Sequence, residues 1–190
     1  VIELSAVFWF MVVLFGIIGM MRGWVREVQA TAAAVLSMFI IEQISPWVWT
    51  VLVERTPAEL LATDPLGTLR RLVMLKSAIL LIVVFFGYQG PVLVEFASRG
   101  RAKTNRPRET IQEGVLGLIA GLVNGYLIIG ALWWYVHVGQ YPFEWIISPL
   151  NFPESASAAM ISFLPLRYLA SPWLEILVVI FFLIVIIAVI

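Results

Sequence analysis

Long apolar runs, broken by short clusters of charge, glycine and proline, set the pattern of this chain. The first covers residues 2–21 and stops at Arg22-Gly23-Trp24-Val25-Arg26-Glu27. Twenty residues at about 1.5 Å each make a helix about 30 Å long, the thickness of a bilayer's hydrocarbon core. A second run, 28–45, is rich in small residues and reaches a break at Ser45-Pro46. The third covers 72–94, with Lys76 placed near its start to snorkel to the interface. Thr110-Ile111-Gln112-Glu113 reads as a capping box that starts a fourth run, 111–138. After a stretch broken by Pro142, Pro149, Pro153 and Pro165, Ser171-Pro172 starts a last apolar helix, 173–190. Glu175 lies in its first turn, where the helix dipole favours a carboxylate.

The pattern between the second and third runs is amphipathic. Ser45-Pro46 reads as an N-cap followed by proline at the first helical position, and Thr56-Pro57-Ala58-Glu59 as a capping box. These signals predict two short helices on the membrane surface, with Trp47 and Trp49 at headgroup level. The predicted fold is an all-α, polytopic integral membrane protein of four to five transmembrane helices, with short amphipathic interfacial helices between spans. Residues 1–140 form a four-span core, and 141–190 a proline-broken outer segment plus a C-terminal membrane helix.

Composition agrees: 62% of residues are hydrophobic, 13% are charged, and the mean hydropathy is +0.99. Soluble domains carry about 25% charged residues. The net charge is zero, so no basic field attracts nucleic acid. Cysteine is absent and histidine occurs once, which removes thiolate metal sites, disulfides and multi-histidine clusters from a single chain. No basic residue precedes the first apolar run, while Arg22 and Arg26 follow it, so the run is expected to be retained rather than cleaved as a signal peptide. The dense basic group Arg99, Arg101, Lys103, Arg106 and Arg108 then sets the orientation. Placing it inside puts seven basic residues on the cytoplasmic side and five outside, with the N-terminus out. The group is the cytoplasmic anchor and can attract anionic lipid.

The strongest local motif is Gly114, Gly117, Gly121 and Gly125. On a helical wheel with Gly117 at zero, they fall at about 60°, 0°, 40° and 80°, one stripe that lets another backbone approach closely. Asn124 lies at the edge of that stripe, placed to hydrogen-bond across the contact, whereas Gly130, at about 220°, is expected to point elsewhere. Gly16, Gly19 and Gly23 repeat the spacing of Gly114, Gly117 and Gly121, so the first and fourth helices are expected to pack glycine face to glycine face.

The segments Gly19-x-x-Arg22-Gly23-x-x-x-Glu27 and Gly117-x-x-x-Gly121-Leu122-Val123-Asn124-Gly125 resemble the two signatures of the colicin V production protein (CvpA) family, in order, over roughly residues 1–140. The resemblance implies a bacterial inner-membrane protein of about four spans, not known as an enzyme, associated with colicin V production or export and envelope homeostasis. The segments at 42–71 and 140–171 and the apolar C-terminal helix depart from that pattern and offer surface for docking.

Candidate chemistry is sparse. His137, near the outer end of the fourth helix, could ligate haem or a chlorophyll-type pigment, or sit at the interface bonded to water or a carbonyl. Arg22 and Glu27 read as an interfacial charge pair that sets the register of a helical hairpin, or as part of a relay. No phosphate loop, nucleophile triad or metal-spaced acid pair is present in the sequence. The reading is therefore a non-catalytic protein with no assigned cofactor. Its partners are the lipid bilayer and other membrane-protein subunits or further copies of itself. Two rivals stand beside the envelope role: an accessory transmembrane subunit of a larger electron-transfer or photosynthetic complex, and a small-solute or peptide export component.

Overall fold

A computed structural model describes residues 3–55, 57, 64–97, 107–146, 148–169 and 171–189. Every regular element among them is helical: α1 (Leu4–Arg22), α2 (Trp24–Trp49), α3 (Pro65–Ala97), α4 (Pro107–Val138), α5 (Ala156–Ile161), α6 (Pro165–Tyr168) and α7 (Trp173–Val189). Three stretches of the described residues are long and apolar enough to cross a membrane: Leu4–Arg22, Trp24–Glu54 and Ile111–Val138. The described residues are thus all-helical, with three segments that suit a membrane protein.

Several boundaries differ from the sequence reading, each for a local reason. The polar cluster 22–27 is no loop, because Gly23 alone separates α1 from α2. Its φ of 85° and ψ of 154° belong to a region open essentially only to glycine, so one residue reverses the chain. Nor does Ser45-Pro46 break α2, which continues to Trp49 and then through a π-helical segment, Thr50–Glu54. Proline removes the donor that would meet the Glu42 carbonyl, and beside it Ser45 Oγ donates to the Ile41 carbonyl at 2.7 Å. Trp47 and Trp49 therefore sit on the extension of α2 rather than on a separate surface helix. Most of the Thr56–Glu59 capping box lies outside the described residues.

Helix α3 begins at Pro65, seven residues before the expected span. Asp64 is its cap, with Oδ1 accepting the Gly67 N–H at 2.8 Å. Helix α4 begins at Pro107, so Thr110 lies inside its first turn and does not cap it. Here a proline at the first helical position decides the start.

Helix α1 lies along α4, and α2 fits between α3 and α4 with α7 against its far side. The larger core joins Ala34, Met38 and Ile41 of α2 to Leu80 of α3, Ile128 and Ala131 of α4, and Leu174 of α7. A second core gathers Phe8 and Val12 of α1, Trp133 of α4, Tyr141 and Leu164. Large apolar side chains such as Phe10, Ile17, Phe86 and Ile119 face outward. That inversion of the soluble pattern suits a lipid solvent.

The outer segment packs back onto this core. Ser157 Oγ accepts the Ser5 N–H at 3.1 Å, and Tyr126 donates its hydroxyl to the Phe163 carbonyl at 2.6 Å. Leu164 is fully buried beneath α6. Residues 156–169 are thus in part a cap over α1 and α4, not only surface left free for docking.

Candidate functional site

Where α1 crosses α4 the two backbones touch. A Cβ on Gly19 would overlap the Gly117 carbonyl oxygen and come within 2.8 Å of Gly121 Cα. On Gly121 it would overlap the Phe15 carbonyl and lie 3.1 Å from the Cα atoms of both Gly16 and Gly19. A Cβ on Gly125 would lie 2.8 Å from Val12 Cα, and one on Gly16 2.8 Å from Leu122 Cδ2. Such proximity recruits dispersion and Cα–H···O contacts, which hold helices together where hydrophobic drive is missing.

Two glycines of the expected interface do something else. A Cβ on Gly114 would make only ordinary contact, with Met20 Cγ at 3.7 Å. Gly23 has nothing within 4 Å of where its Cβ would be, and its role is the positive-φ reversal. Conversely Gly130, expected to point elsewhere than the stripe, is tight against another partner. A Cβ there would overlap Pro165 Cδ and lie 2.7 Å from Pro165 Cγ. The wheel angle was sound, but the partner is α6, which returns from far along the chain.

Beside this interface lies a polar knot built on Glu27, whose side chain is 0% exposed. Arg22 Nη1 pairs with Glu27 Oε1 at 3.0 Å. Oε2 accepts from the Tyr88 hydroxyl at 3.0 Å and from Asn124 Nδ2 at 2.8 Å. The Glu27 carbonyl accepts from Asn124 Nδ2 at 2.9 Å and from Thr31 Oγ1 at 2.9 Å. Thr31 Oγ1 also lies 2.6 Å from Asn124 Oδ1. Arg22 donates through Nη2 to the Tyr88 carbonyl at 2.8 Å and lies 4.3 Å from the centre of the Tyr88 ring. Four helices meet at this one carboxylate.

Two expectations change here. Arg22 and Glu27 were placed at a watery edge; Arg22 keeps some exposure, at 21%, but Glu27 keeps none. Because α2 starts directly after Gly23, Glu27 falls in its first turn, facing α3 and α4 rather than a loop. Asn124 was placed to bond across the glycine contact; it bonds instead to α2, through Glu27 and Thr31. Tyr88 and Thr31 were missed altogether. The Thr31 hydroxyl reaches the Glu27 carbonyl one turn back within α2, while only the packing of α3 on α2 brings the Tyr88 hydroxyl to the carboxylate and only that of α4 brings Asn124 to Thr31.

His137 is tied into the cap. Its Nδ1 lies 3.3 Å from the Tyr141 hydroxyl, which accepts the Trp133 Nε1–H at 3.3 Å. Trp134 packs against the His137 ring at a tilt of 48°, with ring centres 5.6 Å apart. Burial pushes the Tyr141 phenol above its usual range, while the bond from Trp133 opposes this in part. Tyr141 therefore stays protonated at neutral pH, and its hydroxyl shares with Nδ1 a hydrogen bond whose direction follows the histidine tautomer. Gln140 and Tyr141 both adopt positive φ, 59° and 52°, which folds Tyr141 back under α4.

Of the basic anchor, Arg99, Arg101, Lys103 and Arg106 lie outside the described residues, and Arg108 is described only as part of the α4 backbone. Compared with known proteins, the chain matches no family model, no curated protein and no solved structure.

Proposed function

We propose that this chain is a polytopic membrane protein of four to five spans that acts by association in the envelope rather than by catalysis. Helices α3 and α7 supply the spans beyond the three long apolar segments. The basic cluster 99–108 faces the cytoplasm of a bacterial inner membrane, and the N-terminus lies outside. The observation that carries the reading is the knot at Glu27. Each carboxylate oxygen is occupied by side chains of the same chain, as is the Glu27 carbonyl. A carboxylate so saturated serves as a rivet between helices, not as a transfer station for protons.

The charges and glycines that carry the resemblance to the colicin V production family are those that hold α1, α2 and α4 together, which supports a family-like core. The surface beyond the core favours a second reading, an accessory subunit of a larger membrane complex. Trp145, Phe152, Phe163, Tyr168 and Trp173 are all exposed on or beside the outer segment, an aromatic surface suited to a partner. Mild detergent extraction followed by size analysis and mass spectrometry tests both. Either a homo-oligomer or a defined hetero-complex is expected. A monodisperse monomer that retains no protein would sink the association role.

A further inference from the structure

Near the end of α4, between α2, α3 and α4, lies a cavity of about 480 Å³. Its walls are mostly apolar, with Met38 and Ile41 from α2, Leu72 from α3 and Trp134 from α4, and its rim includes Pro46, Trp49 and Val138. Four polar side chains interrupt that lining, and they divide by chemistry. Helix α2 contributes acceptors, Glu42 and Ser45, while α3 and α4 contribute donors, Lys76 and Tyr135.

The donor wall is unfinished. Tyr135 is 6% exposed, yet its hydroxyl has no hydrogen-bond partner among the described residues. A buried hydroxyl left unpaired is an exception that calls for an explanation. Lys76 lines the cavity with its ammonium 5.9 Å from the centre of the Tyr135 ring, and pairs with no acid among the described residues. In the same lining, Glu42 Oε1 accepts the Ser171 N–H at 3.2 Å and pairs with no base among the described residues. Ser45 Oγ spends its proton on the Ile41 carbonyl, which leaves its lone pairs free to accept.

We propose that this cavity binds the head of a zwitterionic lipid, one carrying a phosphate and a protonated amine as phosphoethanolamine does. Lys76 and Tyr135 donate to the phosphate, and Glu42 and Ser45 accept from the ammonium. A purely anionic head would meet Glu42 and a purely cationic one Lys76; only a dipolar head satisfies both walls. The acyl chain lies over Met38, Ile41 and Leu72 and leaves past Trp49 and Val138. This site is separate from the Glu27 knot and does not depend on the association role.

The test uses the full chain in an uncharged maltoside detergent. The probes are lysophosphatidylethanolamine and lysophosphatidylglycerol with the same bromine-labelled chain, and quenching of tryptophan fluorescence reports binding, since Trp49 and Trp134 line the cavity. Saturable quenching is expected, with the ethanolamine lipid bound more tightly. Lys76→Gln and Tyr135→Phe should each weaken it about tenfold, the loss of one charged or phosphate-directed hydrogen bond. Glu42→Gln should reverse the preference towards the glycerol lipid, a change that a merely loosened fold would not produce. Tyr135→Phe removes only a hydroxyl without a protein partner, so it keeps the fold and decides the matter if another variant fails to fold. Equal binding of the two lipids by the unaltered protein, or equal binding of the ethanolamine lipid by all four proteins, overturns the proposal.

Discussion

Replacing one glycine of α4 at a time with alanine separates helix propensity from helix contact. The substitution adds the same methyl group each time, and in isolation favours the helix by about 0.8–1 kcal/mol. At Gly114 the new Cβ meets Met20 at 3.7 Å, an ordinary contact, so Gly114→Ala should be neutral or stabilising by up to about 1 kcal/mol. At Gly121 the same atom overlaps the Phe15 carbonyl and lies 3.1 Å from two Cα atoms of α1. All three obstacles are backbone and cannot rotate aside, so α1 must move off α4. A gap of about 0.5–1 Å forfeits a quarter to a half of each dispersion contact along the crossing. Overpacking of this kind costs about 1–3 kcal/mol, enough to outweigh the propensity gain. Gly130→Ala should also destabilise, because Pro165 is a rigid ring, although its short helix α6 can give more readily than α1. Reversible unfolding of the three variants in mixed micelles, titrated with a denaturing detergent, measures the order directly. The expected ranking is Gly114→Ala most stable, Gly130→Ala intermediate and Gly121→Ala least. If Gly121→Ala matched Gly114→Ala, the backbone contact between α1 and α4 would be refuted.

Three further outcomes are expected. Glu27→Leu should destabilise the protein by about 3–5 kcal/mol because it strands Arg22, Tyr88 and Asn124, and adding Arg22→Leu should recover part of that loss in the same unfolding assay; additive losses would contradict the pairing. His137→Ala should leave the absorption spectrum of the purified protein unchanged, and loss of a visible band would instead establish a haem or pigment ligand. Because the chain contains no cysteine, single substitutions at Leu60, Leu150 and Thr104 can be labelled cleanly from either side; the first two should react with an impermeant reagent in intact cells and Thr104→Cys only after permeabilisation, with the reverse pattern inverting the topology.

The long apolar runs needed nothing beyond the sequence, because a span is a local property: enough consecutive apolar residues to satisfy a bilayer. The stripe at Gly117, Gly121 and Gly125 was equally legible, since helical periodicity places residues on a face before any partner is known. What a face touches is not local. Gly130 and Gly121 look alike along the chain, yet one meets Pro165 from a returning loop and the other the backbone of α1. Glu27 reads as an edge charge until Gly23 compresses the turn to one residue and draws the carboxylate inward. Tyr88, Lys76 and Tyr135 lie in apolar surroundings that mark them as lining or anchor residues, and sequence carries no sign of the groups they face. Periodicity assigns each residue a direction on its own helix; only the packing of α1, α2, α3 and α4 decides which polar atoms share a low-dielectric space, and so which are paired and which wait for a ligand.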